Sequence, residues 1–446
     1  MKNQSSDTKS TTILEAAKTV LEMNDQGSYT VPAKGLYPHQ WLWDSCFVAI
    51  GLRHLDVERA KTELLSLLRG QWSNGMIPHN ILSDQVHARD KNIWRGWLSP
   101  YSPDDVNTSG ITQPPVLAEA AVQIGKKLSL PERRTWYRTV LPALIKHHQW
   151  LYKERDPHNE GLALQIHPWE TGLDNTPPWM SELHDHQMAG WITLIKKLHL
   201  EFLITMFRRD THYVPAEQRL DTIDALALYS TQRRLRRKRY DISRVLTHSL
   251  FAIEDLTFNC IFIRANQHLV HMAKTIRFDL PHELLDSMQK TEAALEQLWD
   301  PYSSQYYSRN FVTHTMLKEP SIAALIPLYA GTISQERANT LVKMLENQHL
   351  FGPAFPVPSV PINSTWFNSG AYWQGPTWIN TNWLIIDGLN RMGFKDHAAA
   401  LQESTIELVA KSGFSEYFDP LTGTADGVQN FSWTAALAID LLRTKG

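Results

Sequence analysis

Six stretches of the chain space their apolar residues three or four positions apart, which is the period of a helix with one buried face. They cover residues 57–68, 131–151, 284–299, 337–346, 397–411 and 433–442. Gly70 follows the first stretch as a stop signal and Pro131 opens the second, inside which Pro142 predicts a kink. Alternating strand patterns are few and short, so the pattern predicts an all-α protein.

Segments of a different composition separate these helices. They are rich in Trp, Tyr, Pro, Gly and Asn, and they cover residues 35–44, 72–80, 167–179, 351–378 and 414–430. Loops held by a rigid scaffold are where binding and catalytic residues concentrate. No Ser/Gly/Pro-rich linker divides the chain, so we expect a single domain over residues 1–446.

Composition and charge narrow the class of partner. The chain has 446 residues, of which 43% are hydrophobic and 20% charged, with a net charge of −2. Such a chain can form a large core but carries no field that favours nucleic acid or an anionic membrane. The basic run at 233–239 could be a nucleic-acid patch, but without a second basic cluster it is more typical of a solvated surface. Self-association stays open.

Cysteine usage and the N-terminus both favour a cytoplasmic location. Cys46 and Cys260 are too few for a disulfide framework, and Cys46 lies in an apolar run typical of a buried thiol. The first residues lack the apolar segment of a signal peptide, and no stretch has the length of a membrane span. Metal-binding and phosphate-loop signatures are absent, so we predict neither a metal nor a cofactor.

The tract from Tyr37 to Ser45 places two tryptophans beside a carboxylate. Trp41 and Trp43 could stack on the C–H face of a sugar, and Asp44 could accept from its hydroxyls. The alternative is that the aromatics are core residues and that Asp44 caps a helix over 45–52. The sequence alone favours neither.

A second tract, 167–179, contains Asp174 in an irregular loop. Gly172 permits a sharp turn, while Pro177 and Pro178 prevent a helix from continuing through the loop. Flanking tryptophans would exclude water and raise the pKa of a carboxyl group, as a general acid requires. The alternative is that Asp174 is a turn residue that bonds to its own backbone.

Two later tracts complete the candidate chemistry. Residues 368–378 combine glycines, aromatics and amides, as in a wall that faces a sugar or in a packed loop before a helix. In 413–420, Asp419 precedes Pro420 and is explained as a turn residue. Glu416 lies between aromatics and has no such structural explanation, so it is the stronger catalytic candidate.

Together these tracts resemble glycoside hydrolase family 63, in particular its bacterial glucosylglycerate and mannosylglycerate hydrolase branch. The resemblance runs from Tyr37 to Leu442 and rests on residues 37–45, 172–175, 372–378 and 414–420. It implies an (α/α)6 barrel, in which loops at one end form the pocket. It also implies hydrolysis of a small α-glycoside with inversion at the anomeric carbon.

The resemblance implies a role for each matched residue. Asp174 would be the general acid and Glu416 the general base, about 6.5–9.5 Å apart to admit the attacking water. The residues expected around the sugar and aglycone are Tyr37, Trp41, Trp43, Asp44, Gln113, Tyr372, Trp373, Trp378 and Gln429. Arg208, Arg209, Tyr37 and Tyr213 are candidates for binding the glycerate carboxylate. Met180 stands where the family favours an acidic residue.

Three other functions remain as alternatives. A glucosidase acting on a short oligosaccharide or a trehalose-like disaccharide would use the same carboxylate pair. A sugar epimerase on a related barrel would use histidines as acid and base and would survive loss of Glu416. A sugar-binding protein would bind glycosides without turnover. The predicted partner in every case is a small molecule.

Overall fold

The computed structural model describes residues 2–83, 88–186, 189–206, 208–247, 249 and 251–444. Helices dominate this part of the chain. They are α1 (Lys2–Asn24), α2 (Leu42–Leu52), α3 (Val57–Arg69), α4 (Ala88–Trp94), α5 (Leu117–Gly125), α6 (Leu130–Arg155), α7 (Pro177–His186), α8 (Gly190–Lys197), α9 (Glu201–Thr205), α10 (Thr222–Arg237), α11 (Ile242–Thr247), α12 (Leu256–Ile276), α13 (His282–Ala294), α14 (Pro327–Ala330), α15 (Gln335–Glu346), α16 (Ile379–Arg391), α17 (Lys395–Ser412) and α18 (Ser432–Arg443).

Six of these helices form a closed inner ring. In ring order they are α2, α5, α12, α14, α16 and α18, and α18 packs back against α2. An outer layer of α1, α3, α6, α13, α15 and α17 covers the ring. The predicted (α/α)6 barrel is therefore confirmed, and helices α7–α11 are an insertion between α6 and α12.

The inner helices are buried on every side. All eleven residues of α2 and all nine of α5 are buried, because each helix meets ring neighbours, an outer helix and the barrel interior. Gly51 lies where α2 crosses α18, and a β-carbon there would lie 2.4 Å from the carbonyl oxygen of Ala436. The closest crossing in this part of the ring therefore depends on a residue without a side chain.

The six helices predicted from periodicity are confirmed as α3, α6, α13, α15, α17 and α18. Asp56 caps α3 by accepting from the backbone amides of Glu58 and Arg59, and Ser129 forms a capping box with Glu132 at α6. Pro142 lies inside α6, as the sequence indicated. The stretch predicted over 284–299 ends earlier, because residues 295–298 form a 3-10 turn after α13.

Within the described ranges, the strands form four short antiparallel pairs. They are β1 (Gln40–Trp41) with β2 (Asn80–Ile81), β3 (Ile253–Glu254) with β6 (Arg309–Asn310), β4 (Trp299–Asp300) with β5 (Gln305–Tyr306), and β7 (Ser415–Phe418) with β8 (Ala425–Gln429). β1 leads directly into α2, and β8 is followed at once by α18. These two pairs therefore lie at the end of the barrel where the inner helices begin.

Three further predictions concern the two cysteines, the basic run at 233–239 and membrane-spanning segments. Cys46 and Cys260 are free, buried thiols on two inner helices, α2 and α12. The basic run forms the end of α10 and the turn after it, where Arg233, Arg237 and Arg239 are exposed. None of the helices in the described part of the chain has the length and apolar content that a membrane crossing requires.

The cap of α3 gives a test of the scaffold. Replacing Asp56 by Ala removes the acceptor of two amide hydrogens, so we expect the free energy of unfolding to fall by about 1 kcal/mol. Urea denaturation measures the change. Asp286→Ala, at an exposed position of α13, is the control and should leave the midpoint within error. An unchanged midpoint for Asp56→Ala would show that its amides find other acceptors.

Candidate active site

A cavity of about 880 Å³ opens at the end of the barrel where the inner helices begin. The segments that precede α2, α5, α16 and α18 each contribute lining residues, among them Trp41, Gln113, Trp373 and Phe431. Helix N-termini carry partial positive charge, so this end of the ring favours carboxylates and developing negative charge. The loops that the sequence marked as aromatic-rich meet here.

Glu416 lies on β7, at an irregularity in its pairing with β8, and only 1% of its surface is exposed. Its carboxylate accepts hydrogen bonds from the Tyr37 hydroxyl at 2.7 Å and the Val428 amide at 3.1 Å. Arg219 Nη1 lies 3.3 Å from Oε2 and 3.4 Å from Oε1. Gly427 leaves the space that this carboxylate fills, since a β-carbon there would lie 2.8 Å from Oε2.

Asp174 lies in the loop before α7, across the cavity from β7. Its Oδ2 accepts a hydrogen bond from the Tyr372 hydroxyl at 3.2 Å. Burial raises the pKa of the Asp174 carboxyl to about 7, although Tyr372 and Arg219 both act to lower it. The group is therefore protonated over the lower half of the physiological pH range, as donation to a leaving group requires.

Two contacts fix the loop that carries Asp174. Gly172 has a positive φ of 77° and packs against the ring of Trp43, where a β-carbon would lie 2.5 Å from the nearest ring atom. The side-chain oxygen of Asn175 accepts from the Trp373 amide at 2.9 Å, and the backbone carbonyl of Asn175 accepts from Gln374 Nε2 at 2.9 Å. The loops 172–175 and 372–374 therefore hold each other in place.

Arg219 connects the two sides of the cavity, and the sequence patterns gave no sign of it. Its Nη2 donates to the Tyr37 hydroxyl at 2.9 Å, while its guanidinium carbon lies 4.4 Å from the centre of the Tyr372 ring. One cation thus contacts the Glu416 carboxylate directly and also lies on the ring of Tyr372, which donates to Asp174. Arg219 lies between a 3-10 turn and the N-cap of α10, and no local pattern marks that position as functional.

Asp44 is a third carboxyl group in the cavity. It lies in the first turn of α2, whose N-cap is Trp41. The alternative that Asp44 caps this helix is therefore wrong. Burial raises its pKa well above the usual range, and the charges of Glu416 and Asp174 raise it further. Asp44 lines the cavity, which suits a hydrogen bond to a ligand hydroxyl.

The predicted aromatic residues divide into lining and support. Tyr37, Trp41, Trp43, Tyr372 and Trp373 line the cavity. Trp378 lies behind Trp373, with the two rings stacked at 3.7 Å, and is outside the lining. Trp433 lines the cavity as well and was not predicted.

The two predicted amides differ in position. Gln113 is buried at the cavity wall, and its Oε1 lies 3.4 Å from the Trp43 amide nitrogen. Gln429 is exposed, lies outside the cavity lining, and donates to the Ser415 hydroxyl at 2.8 Å. Gln429 lies on β8, which pairs with the strand that carries Glu416. Because side chains alternate between the two faces of a strand, the Gln429 side chain points away from the cavity.

The arginines proposed for the glycerate carboxylate lie at the cavity but have partners. Arg208 makes two bonds to Asp210, at 3.1 and 2.6 Å, and a third to the Leu220 carbonyl. Arg209 contacts Asp90 at 3.3 Å and the Gly35 carbonyl at 2.6 Å. Tyr213 is exposed and lies outside the lining. Met180 is fully buried in the core, so it acts on the acid loop only through packing.

Comparisons with known proteins identify the family. The model of the mannosylglycerate hydrolase MGH1-like glycoside hydrolase domain matches residues 37–434. The chain belongs to this family of glycoside hydrolases. A mannosylglycerate hydrolase from Thermus thermophilus is 38% identical over 95% of this chain and 99% of its own. A glucosylglycerate hydrolase from Mycolicibacterium hassiacum is 31% identical over 97% and 98%.

Solved structures support the same assignment. The crystal structure of the glycoside hydrolase family 63 mannosylglycerate hydrolase from Thermus thermophilus, in complex with Tris and D-glycerate, matches with a TM-score of 0.85. It is 36% identical and the match covers 97% of this chain and all of that one. A neutral trehalase from Saccharomyces cerevisiae, at 17% identity and a TM-score of 0.58, shares the fold alone. The comparisons thus confirm the resemblance found in the sequence, and they show that this chain is an enzyme of the glycoside hydrolase class.

The contact between Gly172 and Trp43 can be tested by stability. Gly172→Ala adds left-handed strain of about 1–2 kcal/mol and overpacking of about 1–3 kcal/mol against the Trp43 ring. Gly393→Ala is a matched control, because it has a φ of 88° and nothing within 4 Å of the added carbon. We expect the first variant to lose roughly twice as much free energy of unfolding in denaturant titration. Equal losses would mean that the Trp43 contact contributes nothing.

Proposed function

We propose that this glycoside hydrolase cleaves an α-hexosylglycerate, with mannose or glucose as the hexose, and releases glycerate and the inverted sugar. The named activities of the relatives motivate the substrate. The supporting observation in this chain is a pair of buried carboxyl groups in opposite environments. Asp174 is kept protonated by burial, with its pKa raised to about 7, while Glu416 receives hydrogen bonds from a hydroxyl, an amide and a guanidinium.

These environments support the roles that we propose for the two groups. Asp174 carries the proton that the glycosidic oxygen needs as its bond to the anomeric carbon breaks. Glu416, surrounded by donors, is the carboxylate that removes a proton from the attacking water on the opposite face of the sugar. Glu416 contacts Arg219, whereas Asp174 contacts Tyr372, and the two carboxyl groups do not contact each other. The sugar and the water can therefore lie between them. The oxocarbenium-like transition state is then flanked by three carboxyl groups, including Asp44.

The remaining cavity residues are proposed to hold the sugar in place. Trp43, Trp373 and Trp433 supply aromatic faces around the reacting ring, and Gln113 and Asp44 supply hydrogen-bonding groups. For the glycerate carboxylate we propose Arg209, the more exposed of the two arginines named from the sequence. Arg208 already uses its donors on Asp210 and on backbone. Trp378 supports Trp373, and Gln429 is not retained as a contact because of its outward position.

Three further properties are proposed for the whole chain. The match over 37–434 supports one catalytic domain over residues 1–446. Two free, buried thiols support a reducing, cytoplasmic location. Exposed apolar side chains on α8 and α9, including Leu194, Leu198 and Phe202, support self-association, which light scattering would measure.

The carboxylate pair is tested with glucosylglycerate, mannosylglycerate and trehalose as substrates, the anomer released being followed by NMR. We expect one of the glycerate glycosides to yield the inverted hexose, and Asp174→Asn and Glu416→Gln each to lower kcat by at least about 10³-fold. Asp419→Asn is the control, since its carboxylate only caps the turn 419–422, and should retain activity. Full activity of Glu416→Gln would favour an epimerase, and binding without turnover would favour a sugar-binding protein.

The pH profile tests the assignment of the acid. Because Asp174 must be protonated, kcat/KM should fall as the pH rises through about 7. Tyr372→Phe removes a hydrogen bond that lowers this pKa, so the alkaline limb should move to higher pH. The exposed Tyr101→Phe is the control and should leave the limb in place. A limb that is unchanged or moves to lower pH in Tyr372→Phe would contradict the role of Asp174.

A further inference from the structure

The cavity is larger than a hexosylglycerate needs. Such a molecule has about eighteen non-hydrogen atoms, which would fill about 540 Å³ even at the ~30 Å³ that one water molecule takes in the liquid. The cavity measures about 880 Å³. Space for a further chemical unit therefore remains beside the proposed substrate.

Aromatic rings form one wall of the additional space. A series of ring contacts connects this wall to Glu416, the proposed general base. The Tyr37 ring, whose hydroxyl donates to Glu416, lies 5.8 Å from the Trp41 ring. Trp41 lies 4.6 Å from His79, and His79 lies 5.1 Å from Trp94. His79 and Trp94 both line the cavity and are thus separated from Glu416 by two and three intervening rings, respectively.

This wall rests on a different part of the core. Trp94 packs with Ile111, Leu164, Ile166 and other residues in an apolar cluster of its own, and Trp169 packs against it. Trp43, Trp373 and Trp433, around the carboxylates, belong to the main barrel core. The hydroxyl of Tyr240, in the turn after α10, donates to the carbonyl of Trp94 and fixes the end of α4. Trp169 packs against both clusters, so this half of the cavity lies where the second cluster meets the main core.

Three polar atoms in this second half have no hydrogen-bond partner among the described residues. They are Nε1 of Trp41, Nε2 of His79 and Oδ1 of Asn80, all buried and all in residues that line the cavity. A buried polar group without a partner costs about 1–3 kcal/mol, so three together indicate that a ligand completes them. Burial holds the pKa of His79 well below its usual range, so its imidazole is neutral and can exchange hydrogen bonds with hydroxyls.

The chemistry of the wall selects the ligand. The rings of Trp94 and Trp169 lie 5.6 Å apart at the cavity and offer apolar faces. The unpartnered groups are neutral and include an indole donor, an amide acceptor and an imidazole nitrogen that can be either. Aromatic faces combined with neutral, convergent hydrogen-bonding groups fit a sugar ring rather than an anion or a hydrocarbon.

We propose that this half of the cavity is a subsite for a second sugar ring, so that the enzyme also removes the terminal hexose from a glycerate glycoside that carries two hexoses in series. The inference rests on the proposed function. The chemistry is the same hydrolysis: the water oxygen bonds to the anomeric carbon of the terminal sugar and gives a proton to Glu416, while the bond from that carbon to the departing oxygen breaks and this oxygen takes the proton of Asp174. The products are a free hexose and a hexosylglycerate, which is itself the proposed first substrate.

The test compares two substrates in one set of variants of the full chain. The substrates are a hexosylglycerate and the same molecule extended by an α-linked terminal hexose. We expect the wild type to hydrolyse both, and Trp94→Ala to lower kcat/KM for the longer substrate about tenfold while changing it less than about threefold for the shorter one. Trp97→Ala is the control, because Trp97 is 52% exposed, is three residues away and does not line the cavity.

His79→Phe is the second variant, in case Trp94→Ala does not fold, and it should show the same selective loss because it keeps a ring but removes the unpartnered nitrogen. Hydrolysis of the short substrate without the long one would overturn the subsite and leave the proposed function standing. Hydrolysis of neither would remove both. Equal losses on the two substrates in Trp94→Ala and His79→Phe would assign these residues to the first site and also overturn the proposal.

Discussion

Glu416 is an ionisable group with 1% of its surface exposed, and the arrangement of the site follows from how that burial is compensated. An isolated carboxylate in such a place would cost several kcal/mol, so it needs a cation and hydrogen-bond donors of fixed geometry. Arg219 and Tyr37 supply them and are bonded to each other. Because Arg219 comes from the insertion between α6 and α12, the surroundings of Glu416 are complete only when that insertion folds over the barrel.

The same guanidinium restrains the opposite side of the cavity. Its face lies on the Tyr372 ring, whose hydroxyl donates to Asp174. Arg219 lowers the pKa of Asp174 while burial raises it more, which leaves the pKa at about 7. Two carboxyl groups that face one cavity thus lie in different surroundings, because Glu416 contacts the cation directly and Asp174 contacts it only through the Tyr372 ring. Such a difference is what the proposed inverting acid–base pair would require.

The barrel places these groups by a simple rule. Four inner helices, α2, α5, α16 and α18, begin at the cavity, so the residues just before them converge although they lie far apart in sequence. The outer helices have one apolar face, and their periodicity made α3, α6, α13, α15 and α17 recognisable from sequence. α2 and α5 are buried on all sides and have no polar face, so the same pattern does not mark their boundaries.

The sequence by itself determined the fold class and singled out the two candidate carboxylates, because helix periodicity and aromatic-rich loops are local properties that survive without the fold. It also marked Tyr37, Trp43 and Tyr372, which the structure brings together. Only the tertiary structure decided that Arg219, His79 and Trp433 share the cavity, that Trp378 lies behind Trp373, and that Gln429 turns away. The first outcome depends on contacts between segments more than a hundred residues apart, the second on how the loop 372–378 packs, and the third on which face of a strand is buried. None of these is written in a local pattern.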